Sequence, residues 1–193
     1  MASSGKPTKA MLAAIGRVAA ESAAVEDQLR DLFCHLIGSP YGRVITAGED
    51  LSNITKSCLR IARYHHGLTD EQIEQLVTIV KAIERLRPHR NFLVHATWVK
   101  MSEPGKHFGT RSSRASSSMR TEAQGMYDSL IWRPADAEKI ADAFSNVAVR
   151  IDAFIEQAFD RPAYEPPIER EAWAKFNAML SPAFDVLDAP VDS

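Results

Sequence analysis

Apolar side chains recur along the first part of this chain at alternating steps of three and four, the spacing of one face of an α-helix. Met11, Ile15, Val18, Ser22, Val25, Leu29, Leu32 and Leu36 mark a long first helix. Ala19 and Phe33 widen its stripe, and Gly38-Ser39-Pro40 ends it. After a Gly-containing loop over residues 41–50, the positions Leu51, Ile54, Cys58, Ile61 and Ala62 mark a shorter second helix that stops near His65-His66-Gly67. The two adjacent histidines point to different faces, so they do not chelate one ion, and a helix end suits them. Thr69-Asp70-Glu71-Gln72 has the form of a capping box, in which threonine and glutamine reciprocally satisfy backbone N–H groups. It opens a third helix with Ile73, Leu76, Val77, Val80, Ile83 and Leu86 inward. Pro88 removes a hydrogen bond there and crowds the carbonyl four residues back, so a kink or a fresh first turn is expected just before Arg90.

Beyond Trp98 the period shortens. Thr97 to Met101 reads as a strand, Pro104-Gly105 as a turn and His107 to Thr110 as the returning strand, a small hairpin beside the helices. Tyr127 to Trp132 forms another short extended piece. Pro134-Ala135-Asp136 starts a fourth helix whose stripe is Ile140, Phe144, Val147, Ile151, Phe154 and Ala158. Arg161-Pro162 ends it, and Glu165-Pro166-Pro167 introduces a last short helix with Trp173, Phe176, Met179 and Leu180 on one side. The pattern predicts an all-α fold: an antiparallel four-helix-type bundle, a small hairpin or loop insertion after the third helix, and a C-terminal extra helix. Its parts are a flexible leader over 1–9, a helical domain over 10–160, and a Pro-rich linker, short helix and disordered acidic tail over 161–193.

Charge narrows the partners. A net charge of -2 argues against sequence-blind affinity for nucleic acid, so any such contact must come from a local patch. One candidate patch is the stretch from Lys106 to Arg120, where Lys106, Arg111, Arg114 and Arg120 stand among five serines and no acid. It is either a disordered surface excursion or an arm that steers the phosphates of a bound strand. The leader has no apolar core and no run of about 18 uncharged apolar residues exists, so a cytoplasmic protein without a membrane partner is expected. Cys34 and Cys58 have no Cys-x-x-Cys or Cys/His ligand spacing and read as small core residues; no metal or other cofactor is expected.

The densest chemistry lies in Arg90-Asn91-Phe92-Leu93-Val94-His95, near the end of the third helix. A fixed cation, a carboxamide and the one side chain that titrates near neutrality fall within one short run flanked by aliphatics. On a helix Asn91 and His95 share a face, and Arg90 supports it from about 100° round. Glu26 sits on the first helix's inner face, where a carboxylate needs a buried partner such as Arg90, unless it lies at the stripe's edge in water.

The order of long first helix, shorter second helix, third helix carrying Arg90-Asn91-x-x-x-His95, small insertion and fourth helix resembles the HEPN superfamily, the higher eukaryotes and prokaryotes nucleotide-binding domain. The resemblance covers roughly residues 10–160. It implies a helical bundle that forms a homodimer with the motif helices facing each other and, in active members, cleaves RNA without metal in the shared cleft. On that reading Arg90, Asn91 and His95 are catalytic residues of a toxin or defence endoribonuclease, with Glu26 in support and a cognate antitoxin or regulatory protein as a further partner.

The residue chemistry is compatible with this. His95 can accept or return a proton near neutrality, Arg90 matches phosphate oxygens with its planar fork, and Asn91 can orient the imidazole or the scissile group. Two other readings stand beside it. One is an inactive HEPN-like dimer that binds RNA or regulates a partner protein, its motif a polar network that sets helix register. The other, a metallohydrolase, lacks clustered His and carboxylate ligands on the motif helix and ranks last.

Overall fold

The computed structural model describes residues 5–112 and 127–159. The chain divides into two units, Met1–Asp160 and Arg161–Ser193, and the first is the subject here. The expected short helix around Trp173 and the acidic tail lie outside the described residues.

Helix α1 spans Lys9–Ile37. Thr8 caps it by accepting the Met11 N–H at 3.3 Å, and Gly38 ends it in the left-handed conformation, φ 61°, that a side chain would resist. The leader is tied down ahead of it. The Gly5 carbonyl accepts the Lys100 N–H at 2.9 Å, and both the N–H and the hydroxyl of Thr8 reach Nε2 of the buried His107. Residues 5–8 are thus anchored where a frayed leader was expected. Within the expected loop 41–50 a single turn, α2, occupies Gly42–Ile45.

Helix α3, Leu51–Ala62, is capped by Asp50, whose carboxylate accepts the Asn53 N–H at 2.9 Å. Helix α4 spans Asp70–His95 behind the full capping box: Thr69 N–H donates to Gln72 Oε1 at 2.9 Å, and Gln72 N–H to Thr69 Oγ1 at 3.3 Å. It runs unbroken through Pro88, so the motif stands on the same helix rather than on a fresh turn. Helix α5 spans Pro134–Ala158, with proline in its first turn.

Between α4 and α5 lie β1 (Thr97–Lys100), β2 (His107–Ser112) and β3 (Tyr127–Trp132). They form one antiparallel sheet in the order β1-β2-β3, with Trp98 opposite Gly109 and His107 opposite Trp132. The fold is therefore mainly helical but not all-α. The expected hairpin is present, and Tyr127–Trp132 pairs with its free edge to make a third strand, since an unpaired row of N–H and C=O groups is satisfied by the next extended segment.

The core is a seam of α1 against α5, α3 and α4. Leu29, Leu32, Ile54, Leu76, Ile83, Phe144, Ile151 and Phe154 are wholly enclosed in it. Two stripes are rotated slightly from expectation. On α1, Ala14 is buried and Ile15 half-buried; on α4, Ile79 replaces Val77 and Val80 at the centre of the buried face. In both cases the neighbouring helix selects the face, and short-range periodicity leaves it open by one position. Among the described residues no helix is long and apolar enough to cross a membrane.

Candidate active site

The last turns of α4 are fixed by the sheet. Trp98 follows the helix by three residues, and its indole N–H donates to the buried Leu93 carbonyl at 3.0 Å, one of the four acceptors a helix end leaves without a partner. Phe92 meets the Trp98 ring edge-on, centroids 5.7 Å apart at 88°. Gly109 on β2 lies against both rings: a Cβ there would stand 2.7 Å from a Trp98 ring carbon and 3.0 Å from Phe92. On the neighbouring side of α4, His89 packs against Trp132 of β3, centroids 5.9 Å apart. The sheet thus holds the backbone that carries the motif.

With Phe92 and Leu93 turned into the core, Arg90 and Asn91 are half-buried and His95, the last residue of the helix, is exposed. The three side chains meet at one nitrogen. Arg90 Nη1 donates to Asn91 Oδ1 at 3.2 Å and lies 3.5 Å from His95 Nε2. A guanidinium donates and does not accept, so this contact is a hydrogen bond in the His95 tautomer whose Nε2 carries the lone pair. Arg90 Nε donates at 3.4 Å to Ser22 Oγ, which itself donates to the Ala19 carbonyl at 3.0 Å. Nη2 has no partner among the described residues.

Ser22 is what sequence reasoning passed over. It stood in the stripe as one polar position among aliphatics, and the structure encloses it fully, its hydroxyl anchoring Arg90 across 68 residues. Glu26, the expected supporting partner, serves its own helix instead. Its carboxylate lies 3.8 Å from Arg30, four residues on, and Arg30 also donates to the Glu49 carbonyl. The partner of Arg90 on α1 is thus a neutral hydroxyl, which costs far less to bury beside a cation than a second charge does.

Lys106 is held by Glu103 at 2.6 Å, Arg111 falls on β2 in register with Asp128, and Arg114 and Arg120 lie outside the described residues. Among the described residues no group of three or more His, Cys, Asp or Glu side chains is placed to hold a metal ion. Cys34 and Cys58 are free and buried, and burial pushes the Cys58 thiol up to about 12. Comparison of the chain with protein-family models, with curated proteins and with solved structures yields no match.

Proposed function

We propose that the protein is a metal-independent endoribonuclease of the toxin or defence type, built as a HEPN-like four-helix bundle from α1, α3, α4 and α5. Two copies place their α4 ends across a shared cleft. The observation that carries this reading is the convergence of Asn91 Oδ1 and His95 Nε2 on Arg90 Nη1, with Nη2 lacking a partner among the described residues and the imidazole at the surface. In the absence of RNA, Arg90 and His95 hold each other. A phosphodiester entering the cleft takes Nη1 and Nη2 in the paired geometry that a guanidinium offers to phosphate oxygens, and this frees the His95 lone pair.

His95 then accepts the 2′-hydroxyl proton as that oxygen bonds to phosphorus. Arg90 offsets the charge gathering on the phosphoryl oxygens. The P–O5′ bond breaks, and the leaving 5′-oxygen takes a proton from the partner's His95. The products are a 2′,3′-cyclic phosphate end and a 5′-hydroxyl end. Each copy supplies one proton carrier, so the dimer is the catalyst. A cognate antitoxin or regulatory protein would act by covering this cleft.

The test is incubation of a mixed RNA pool in EDTA with wild-type and His95→Ala protein. Cleavage by the first and not by the second supports the proposal, and cyclic phosphate ends support the route. A second reading is favoured by the enclosed Ser22 hydroxyl under the half-buried Arg90: an inactive HEPN-like dimer in which the network sets the α1–α4 contact and the surface binds RNA or a regulatory partner. It predicts that Arg90→Ala lowers stability in step with any binding, and that wild-type protein leaves the pool intact.

A further inference from the structure

We propose that α3 and the turn behind it form a docking site for a single RNA strand, apart from the residues that would cut it. Between Leu51 and Leu68 there is no acidic residue, while Lys56, Arg60 and Arg63 fall there, in a chain whose overall charge is -2. The inner face of α3 is buried through Leu51, Ile54, Cys58 and Ala62. Its outer face therefore presents Asn53, Lys56 and Arg60 in a line, with Tyr64 continuing it beyond the helix end. Each helical turn of this line advances about 5.4 Å, giving a regular ladder of donors.

Six of the other cations are already engaged. Arg17, Arg30, Arg43, Arg87, Lys106 and Lys139 each have a carboxylate within ion-pair distance. Lys56, Arg60 and Arg63 have none among the described residues.

Two surface clefts adjoin at Arg60. One, of about 420 Å³, is polar and lined by Asn53, Lys56, Ser57 and Arg60, with Glu49 as the acid at its rim. The other, of about 570 Å³, has Leu36, Ile61 and Tyr64 as walls, with Arg60 and His66 beside them. Tyr64 is 81% exposed and stacks on no ring of the described residues, which is costly for an aromatic surface with nothing to cover it. Charged donors beside a free ring are the two parts of a single-strand site: cations track phosphates, and the ring takes the face of a base. A lipid surface would need a row of exposed apolar side chains on this face, and between Leu51 and Leu68 Tyr64 is the one large apolar side chain that stands exposed. An acidic peptide would use the cations and leave the ring bare.

The choice of RNA among base-bearing polyanions rests on the nuclease reading above. The whole length of α4, about 38 Å at 1.5 Å per residue, separates this turn from His95. The site would hold a substrate at a distance from the bond being cut, and so add affinity without touching the chemistry.

The experiment uses the full chain carrying His95→Ala, so that RNA survives, and fluorescence anisotropy with labelled oligouridylate at several salt concentrations. Tyr64→Ala should weaken binding roughly tenfold, because stacking of one base is lost. Lys56→Ala with Arg60→Ala should lower the slope of log affinity against log salt by about 1.4, the release expected for two phosphates on a single strand. Heparin, a polyanion without bases, should respond to the paired substitution and not to Tyr64→Ala. Unchanged oligouridylate affinity in Tyr64→Ala overturns the proposal, as does binding of heparin or anionic vesicles as tight as that of RNA. Melting curves serve as the folding control, since all three side chains are exposed. If wild-type protein never cuts RNA but these variants lose binding, the nuclease reading fails and the docking site stands. If it cuts, and Tyr64→Ala binds and cuts as before, the docking site fails alone.

Discussion

Replacing Ser22 by alanine removes one oxygen from the enclosed face of α1 and should be felt at Arg90, far away in sequence. The hydroxyl makes two bonds, one to the Ala19 carbonyl at 3.0 Å and one from Arg90 Nε at 3.4 Å. A typical intramolecular hydrogen bond contributes about 0.5–1.5 kcal/mol net, and bonds to charged groups about 1.5–3. The long Arg90 contact and its half-exposed guanidinium put this pair near the neutral range, about 1 kcal/mol. The bond to Ala19 is local and its carbonyl keeps a helical donor, so its loss adds roughly 0.5 kcal/mol. Urea unfolding of wild type, Ser22→Ala, Arg90→Ala and the double variant isolates the cross term. We expect Ser22→Ala to cost about 1.5 kcal/mol, and the pair to show a coupling of about 1 kcal/mol. Removing Arg90 first should make the serine nearly dispensable. Strict additivity, within about 0.3 kcal/mol, would refute the claim that Ser22 holds the guanidinium.

Gly109→Ala should destabilise the protein by about 1–3 kcal/mol, because the new methyl would press into the Trp98 and Phe92 rings, and thermal melting reads the loss. RNA cleavage should fall with it, the same rings being what fixes the end of α4. Pro88→Ala should raise the melting temperature: it restores a backbone donor for the Glu84 carbonyl within a continuous helix, where proline costs up to about 3 kcal/mol, and no gain would mean that this carbonyl is satisfied otherwise. Acidification should weaken the fold. Burial lowers the His107 imidazole, which has to keep a lone pair for the Thr8 N–H, and lowers that of His35, stacked on Phe159. The unfolded chain takes up these protons first, so the contribution is complete above about pH 6.5 and is lost as pH falls from there through the lower folded-state values. Urea midpoints across that range check it, and His107→Gln should flatten the response.

What could be seen in the sequence was what neighbouring residues decide among themselves. The Thr69/Gln72 box, the left-handed Gly38 and the Pro104-Gly105 turn depend on local backbone chemistry, and each stands where the pattern placed it. The six motif residues likewise fall on one helix, so the meeting of Arg90, Asn91 and His95 follows from helical spacing. Contacts between distant segments were not visible. Nothing near Ser22 says that Arg90 will reach it, and Glu26 looked the better partner because charge is legible and helix rotation is not. The third strand, the anchored leader and the Gly109–Trp98 contact all arise from pairing across loops. The bundle expectation carried no information on where a sheet edge would find its next strand.

The central claim is that Arg90, Asn91 and His95 cut RNA in a groove shared by two copies. Its most direct measurement is subunit mixing: wild-type protein is combined with rising proportions of His95→Ala protein, allowed to exchange subunits, and assayed for RNA cleavage in EDTA. If each copy supplies one of the two proton carriers, a mixed dimer lacks one of them, and activity should fall roughly as the square of the wild-type fraction. Cleavage by the wild type that persists undiminished in His95→Ala, or that is confined to a monomer, would contradict the account.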